Sequence, residues 1–402
     1  MDGIGIATAV LRGMHMAALV SLFGTLLFSV AVLPEGARDR LRGMLRRLAL
    51  VSALVALACG TAWLGVEAAE IAGADSVAMT LRAVPTVALK TQFGVWLLGR
   101  LALLLLVLPL LRFPWVGLVL AGAVLAEQPM LGHAGAVGGG AGAQLIASEA
   151  LHLLASGAWL GALLPLYLAV GRLSHEDAAA ACHNFTPVGL ASVLLLAGTA
   201  VVQIGALMGG LPGLLGTLYG HIALVKLGLF LGLLALAAAN RLVITERLAA
   251  SDAGRRSMRL SISGEMVLGT AVVLTAGFLA TQTPGTHEAP VWPFPWRPSL
   301  VAFADPTLGL ELAAAVGAAV AGVALVVVGV AWRRARWPAL GLAVAIEVVA
   351  MPYLDLLFVA AYPTSYFTSP TEFAATAIVS GGRIYTAHCA ACHGAEGQGN
   401  GP

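Results

Sequence analysis

Two cysteines and a histidine near the end of the chain form the run Cys389-Ala390-Ala391-Cys392-His393. Thiols at this spacing can form thioethers to the two vinyl groups of a haem, and the histidine that follows is placed to ligate the iron. A redox dithiol or a zinc site would use the same residue types, but neither a thioredoxin-like pattern nor a second ligand pair accompanies the run. His388 has poor geometry for the opposite haem face and reads as a surface histidine. Cys59 and Cys182 have no nearby basic group or paired thiol in sequence and read as structural. The expected cofactor is therefore covalent haem c, held by Cys389 and Cys392 with His393 on iron.

A second constellation combines His15, His133, His152 and His221 with Met14, Met16 and Met130, and Glu149 lies one helical turn before His152. Imidazole with thioether is a copper ligand set, the thioethers favouring the cuprous ion. Arg100 and Lys226 form a third signal, because each sits about nine residues inside an apolar stretch, where a cation costs about 2.5–3.5 kcal/mol unless it finds a partner. Glu67, Glu70, Glu149 or an anionic ligand such as a haem propionate would serve. Two uses of the group stay open: a copper site, or a b-type haem held by histidines such as His15 and His152 with Arg100 and Lys226 near its propionates. Glu347 and Asp355, on either side of Pro352, pose the same question with opposite sign.

The elements that must position these residues follow from composition. The chain has 402 residues, 59% hydrophobic and 10% charged, with mean hydropathy +0.91, and a soluble fold cannot hide that much apolar surface. The apolar runs lack the alternation of barrel strands, so the expected class is an all-α, polytopic membrane protein with lipid as its solvent. The net charge of +2 gives no sign of nucleic-acid binding. Ten spans are expected, starting near residues 8, 48, 92, 114, 146, 187, 219, 262, 309 and 338, the first retained rather than cleaved. Basic residues sort fifteen to four between alternate loops, with Arg12, Arg100 and Lys226 left inside spans, which predicts a bacterial inner-membrane location with the N-terminus and the haem tail periplasmic. Between Pro284 and Pro306, a loop carrying Trp292, Phe294 and Trp296 should lie at the headgroups.

The first eight spans read as a parallel duplication of four. His15 with Gly24 matches His152 with Gly161, Gly60-Thr61 matches Gly198-Thr199, and Thr91, Gly94 and Arg100 match Thr217, Gly220 and Lys226 at identical spacing. The expected organisation is thus 1–145, a first four-span repeat; 146–283, a second; 284–308, a Pro/Trp-rich loop; 309–360, two further spans; and 361–402, the haem-bearing segment.

Leu151-His152-Leu153-Leu154 through Trp159-Leu160-Gly161, Tyr219-Gly220 through Lys226, Asn240-Arg241 and the Arg-rich loop that follows resemble the copper resistance protein D family, over about residues 146 to 283 and more loosely in the N-terminal half. Gly382 through Tyr385 before the haem motif, and Gly394, Gly397, Gly399, Gly401 and Pro402 after it, look like the start of a class I cytochrome c domain. Such a domain would supply its distal methionine from beyond Pro402, so it is expected to be cut short here. What the resemblance implies is a copper-binding or copper-transporting inner-membrane protein, a transporter or electron carrier rather than a conventional enzyme. Its expected partners are the copper ion, the bilayer, a periplasmic copper carrier and a redox partner for the tethered haem.

Overall fold

The structure, a computed structural model, describes residues 3–132, 139–331, 335–367 and 374–401. Ten helices among these are long and apolar enough to cross a membrane, as the hydropathy pattern predicts. Two compact units divide the chain, Met1–Glu288 and Ala289–Pro402.

The first unit contains α1 (Gly3–Leu27), α2 (Glu35–Ala72), α3 (Val77–Lys90), α4 (Gln92–Leu110), α5 (Pro114–Ala126), α6 (Gly139–Arg172), α7 (His175–Met208), α8 (Leu211–Gly216), α9 (Leu218–Ala239), α10 (Thr245–Ala250) and α11 (Asp252–Leu279). Two π-helical segments, Phe28–Val32 and Asn240–Ile244, interrupt the ends of the first and seventh spans. Helix starts follow side-chain chemistry: the hydroxyls of Ser76, Thr91, Ser174, Thr217 and Ser251 each accept a hydrogen bond from a free amide of the first turn. Gly73 and Gly209 end α2 and α7 in the left-handed region, with φ of 56° and 69°.

Two features differ from the sequence reading. Arg38, Arg40, Arg42, Arg46 and Arg47, expected in a loop, lie on α2, whose 38 residues reach about 57 Å at helical rise. That exceeds a hydrocarbon core of about 30 Å, so the basic turns extend the span beyond it rather than ending it. Arg40 meets Asp177 of α7 at 2.9 Å. The second feature is α3, absent from the apolar runs because its hydrophobic residues occupy one face rather than a continuous stretch.

α3–α4 and α8–α9 are joined in the same way. The Thr91 hydroxyl accepts from the amide of Gly94 at 3.0 Å and donates to the carbonyl of Val87 at 2.7 Å. The Thr217 hydroxyl accepts from Gly220 at 3.0 Å and donates to Gly213 at 2.6 Å. Gly94 and Gly220 both lie so close to the carbonyl oxygens of these preceding turns that a Cβ has no room. At the centre of the unit α1 crosses α6 by direct backbone contact: a Cβ on Gly24 would overlap the backbone of Gly161, and one on Gly161 would overlap the carbonyl of Val20.

The second unit pairs α12 (Pro306–Ala331) with α13 (Arg336–Leu354), and Glu347 of α13 lies over Gly322 of α12. Pro352 falls in the last turn of α13, and Asp355 follows as the start of a 3-10 turn. Asp305 caps α12 through bonds from the amides of Leu308 and Thr307, which hold its carboxyl below the usual range. The Pro/Trp-rich loop forms a strand, β1 (Trp296–Pro298), antiparallel to β2 (Phe358–Ala360), with Trp296 opposite Ala360. Phe294 stacks on Trp296 at 5.0 Å, and Trp296 meets Phe358 edge-on at 5.0 Å.

Candidate functional site

Within the first unit, polar residues from α1, α2, α4, α6, α7 and α9 collect inside otherwise apolar helices. His15 on α1 is completely buried, and its Nδ1 lies 2.8 Å from the carbonyl of Ala56 on α2. A carbonyl only accepts, so Nδ1 carries the proton and the neutral ring keeps a lone pair on Nε2. That nitrogen is buried with no hydrogen-bond partner among the described residues. His152 on α6 is held in a similar way. Its Nδ1 lies 2.8 Å from the Thr199 hydroxyl on α7, whose own proton goes to the carbonyl of Leu195 at 2.7 Å, so here too Nδ1 donates and Nε2 is left with its lone pair. Donation from Nδ1 to a fixed acceptor is how proteins orient a histidine that ligates metal through Nε2.

Each histidine has a cation in electrostatic contact, Arg100 for His15 and Lys226 for His152. Arg100 is fully buried on α4 and donates through Nη1 to Gln128, which begins the 3-10 turn Gln128–Leu131; its Nε and Nη2 have no partner. The sequence offers Glu67, Glu70, Glu149 or an anionic ligand as counter-charges for Arg100 and Lys226; Glu149 faces Lys226, whereas Arg100 has neutral Gln128 and nearby Glu127. Glu70 is exposed. Glu149 instead stands between Arg12 and Lys226, and Glu67 accepts from the Trp63 indole at 3.2 Å while also facing Arg12. Arg12 lies over the Trp63 ring at 5.7 Å. The cluster thus balances three cations, Arg12, Arg100 and Lys226, against three carboxylates, Glu67, Glu127 and Glu149.

The remaining expected ligands are not gathered here. Met14 is half exposed, whereas Met16 packs into the core, because residues two positions apart on a helix face directions about 200° apart. His221 is exposed and donates through Nε2 to the carbonyl of Leu215 at 2.9 Å, which commits that nitrogen locally. Met130 is half-buried, and His133 lies outside the described residues. Among the described residues no three His, Cys, Asp or Glu side chains form a group able to hold a metal ion.

Glu127 and Gln128 were not singled out in the sequence, and Thr199 was noted only for its match to Thr61; their roles depend on partners on other helices. A basic residue inside the first apolar run was the one available signal, and it marked Arg12.

The Cys-Ala-Ala-Cys-His run occupies the C-terminal end of the second unit. α14 (Ala375–His388) runs into the short turn α15 (Ala390–His393), with Cys389 between them. Both thiols are free, Cys392 and His393 are exposed, and Cys389 is partly so. The Tyr385 hydroxyl donates to the carbonyl of Gly394 at 2.6 Å, and the amide of Gly399 donates to the carbonyl of His393 at 2.8 Å, so the segment behind the motif folds back onto it. Gly394 makes that reversal with φ of 80°.

A family model for the N-terminal domain of copper resistance protein D-like proteins matches residues 1–143, and one for copper resistance protein D matches residues 179–279. Together these matches cover more than half of the chain; Glu149 and His152 fall between them and the haem motif beyond them. The chain is 28% identical over 284 residues to Inner membrane protein YebZ of Escherichia coli (strain K12), covering 68% of this chain and 97% of that protein. It is 27% identical over 292 residues to Copper resistance protein D of Pseudomonas syringae pv. tomato, covering 66% of this chain and 93% of that protein. No solved structure matches it.

Proposed function

Because the chain is a membrane protein of the copper resistance protein D family, we propose that it binds copper and carries it across a bacterial inner membrane, with a tethered haem c serving electron transfer. The carrying observation is the pair of histidines inside the bundle, each oriented through Nδ1 with Nε2 left to ligate. Ten apolar helices and the likeness to an inner-membrane protein support the multi-pass location. The copper ion and the lipid are its immediate partners; a periplasmic copper carrier and a redox protein would complete the route.

The two halves are read as a parallel repeat. The matching threonine joints, the equivalent histidine and cation pairs, and the meeting of equivalent glycines Gly24 and Gly161 support that reading. If His15 and His152 serve one copper site, copper stoichiometry on purified His15→Ala and His152→Ala is expected to show that each single change loses most of the binding and the double change little more. Full copper binding by both single variants, with normal folding, would remove them from the site.

The cations favour a second reading. Arg100 and Lys226 beside the histidines suit an anionic ligand better than a bare metal ion, and a b-type haem would be held by histidines such as His15 and His152, with these cations offering counter-charges to its carboxylates. The reduced-minus-oxidised spectrum of the same preparations distinguishes the two, since haem b gives a visible band separate from that of haem c, whereas cuprous copper gives none.

For haem c the residues fit: accessible Cys389 and Cys392 would carry the thioethers and His393 the iron, within one helical turn. When bound, the haem supplies one-electron exchange. Tyr385 and the returning Gly399 amide brace the turn that carries these ligands. The distribution of basic residues puts the N-terminus and this segment on the periplasmic side. An alkaline phosphatase fusion after Pro284 is expected to be active and one after Arg256 inactive; the reverse pattern would overturn the orientation.

A further inference from the structure

The C-terminal half of the first unit buries a carboxyl group that the histidine cluster does not use. Glu265 on α11 is 3% exposed, inside the apolar cluster that includes Phe185, Leu233, Met258 and Ile262. Asn240, the first residue of the second π-helical segment, donates through Nδ2 to Glu265 Oε1, and the buried Trp159 indole of α6 also donates toward this carboxyl. No ion pair among the described residues engages Glu265; the titratable group facing it is the Cys182 thiol of α7. The four spanning helices of this half thus each send one polar side chain, Trp159, Cys182, Asn240 and Glu265, to a common place.

One observation indicates the state of the carboxyl. The Oδ1 of Asn240 is buried and has no hydrogen-bond partner among the described residues. An ionised carboxylate only accepts, so it cannot satisfy that oxygen, whereas a carboxylic acid has an O–H to give. An acid and a primary amide side by side close a ring of two bonds, N–H to the carboxyl oxygen and O–H to the amide oxygen. The first of these bonds is present in the structure. The backbone at Asn240 is also unusual: in the π turn its carbonyl accepts from both the amide and the hydroxyl of Thr245, the latter at 2.8 Å, and single π turns recur at functional sites.

We propose that Glu265 and Asn240 form a proton–cation exchange site, in which Glu265 is held as the neutral acid ring-bonded to Asn240 and a cuprous ion displaces its proton. The exchange balances without redox: the carboxyl O–H bond breaks, the proton leaves to water, and the carboxylate takes the monovalent ion, so the charge of the site is the same before and after. Cys182 supplies the soft sulfur donor that the cuprous ion favours. This extends the copper reading above and rests on it for the identity of the cation.

Infrared difference spectroscopy of the full chain in liposomes at neutral pH tests the pair directly. A protonated-carboxyl band is expected in the wild type, absent in Glu265→Gln and displaced toward the free-acid position in Asn240→Leu. Adding cuprous ion should bleach the band and release a proton for each ion taken up, with neither response in Glu265→Gln. Absence of the band, or a band indifferent to Glu265→Gln, overturns the proposal. A band that persists while the wild type moves copper overturns the exchange and leaves copper transport standing. A band present in protein that neither binds nor moves copper counts against the copper reading, and against copper as the exchanging ion.

Discussion

Gly161→Val is expected to leave little correctly folded protein. Its side chain would occupy space held by the carbonyl of Val20, and a backbone cannot turn aside as a flexible side chain can. Overpacking a core costs about 1–3 kcal/mol where neighbours can adjust, and this contact lies at or above the top of that range because α1 and α6 must separate along their length. Gly24→Val should behave alike, since its Cβ would meet Gly161 from the other side. Gly13→Ala on the same helix is the control: nothing lies within 4 Å of its Cβ, so replacement should be neutral or slightly stabilising by helix propensity. Thermal unfolding in detergent, followed by monodisperse yield, measures all three. Equal melting of Gly161→Val and Gly13→Ala would show that the helices do not cross as described.

The ten spans were legible because hydrophobicity over about 20 residues is a local property. The ends of the helices were less so. Arg38 to Arg47 looked like a loop, since charge was taken to stop a helix, when it only stops the part inside lipid. α3 was hidden for a related reason: one apolar face of 14 residues does not raise the average as a span does. Within the site, residue types at repeated spacing drew attention to His15, His152, Arg100 and Lys226. Their partners were not legible. Gln128 lies 28 residues from Arg100 and Thr199 lies 47 from His152, so only packing brings them together. Glu265 and Asn240 illustrate the same limit, since they lie 25 residues apart and meet only through packing. The exposed Met14 and His221 show that sequence proximity to a ligand or a shared membrane face does not make a site.

The second large effect concerns the C-terminal motif. If haem is attached as proposed, replacing Cys389 and Cys392 together with alanine is expected to abolish it, because both thioether bonds would start from these sulfurs. His393→Ala should remove the proximal iron ligand, and with it stable attachment. Haem staining after denaturing electrophoresis reads the loss as complete rather than graded. The membrane helices should still insert in these variants, since Met1–Glu288 is a compact unit of its own. Staining that survives the double replacement would refute attachment through this motif.

The Gly24–Gly161 crossing also has a mechanical consequence. With no side chain between them, α1 and α6 can rotate about the contact more easily than they can slide, because sliding drives a carbonyl into the residues flanking each glycine. The crossing is therefore a fulcrum. His15 precedes Gly24 by nine residues and His152 precedes Gly161 by nine, so the two lever arms are equal, about 13 Å at helical rise. A scissoring of about 10° would swing each imidazole through about 2 Å by the same arc, a displacement of the size seen when packed helices shift between states. Any event that tilts one histidine-bearing helix is thereby felt at the other histidine without a chain of intervening side chains.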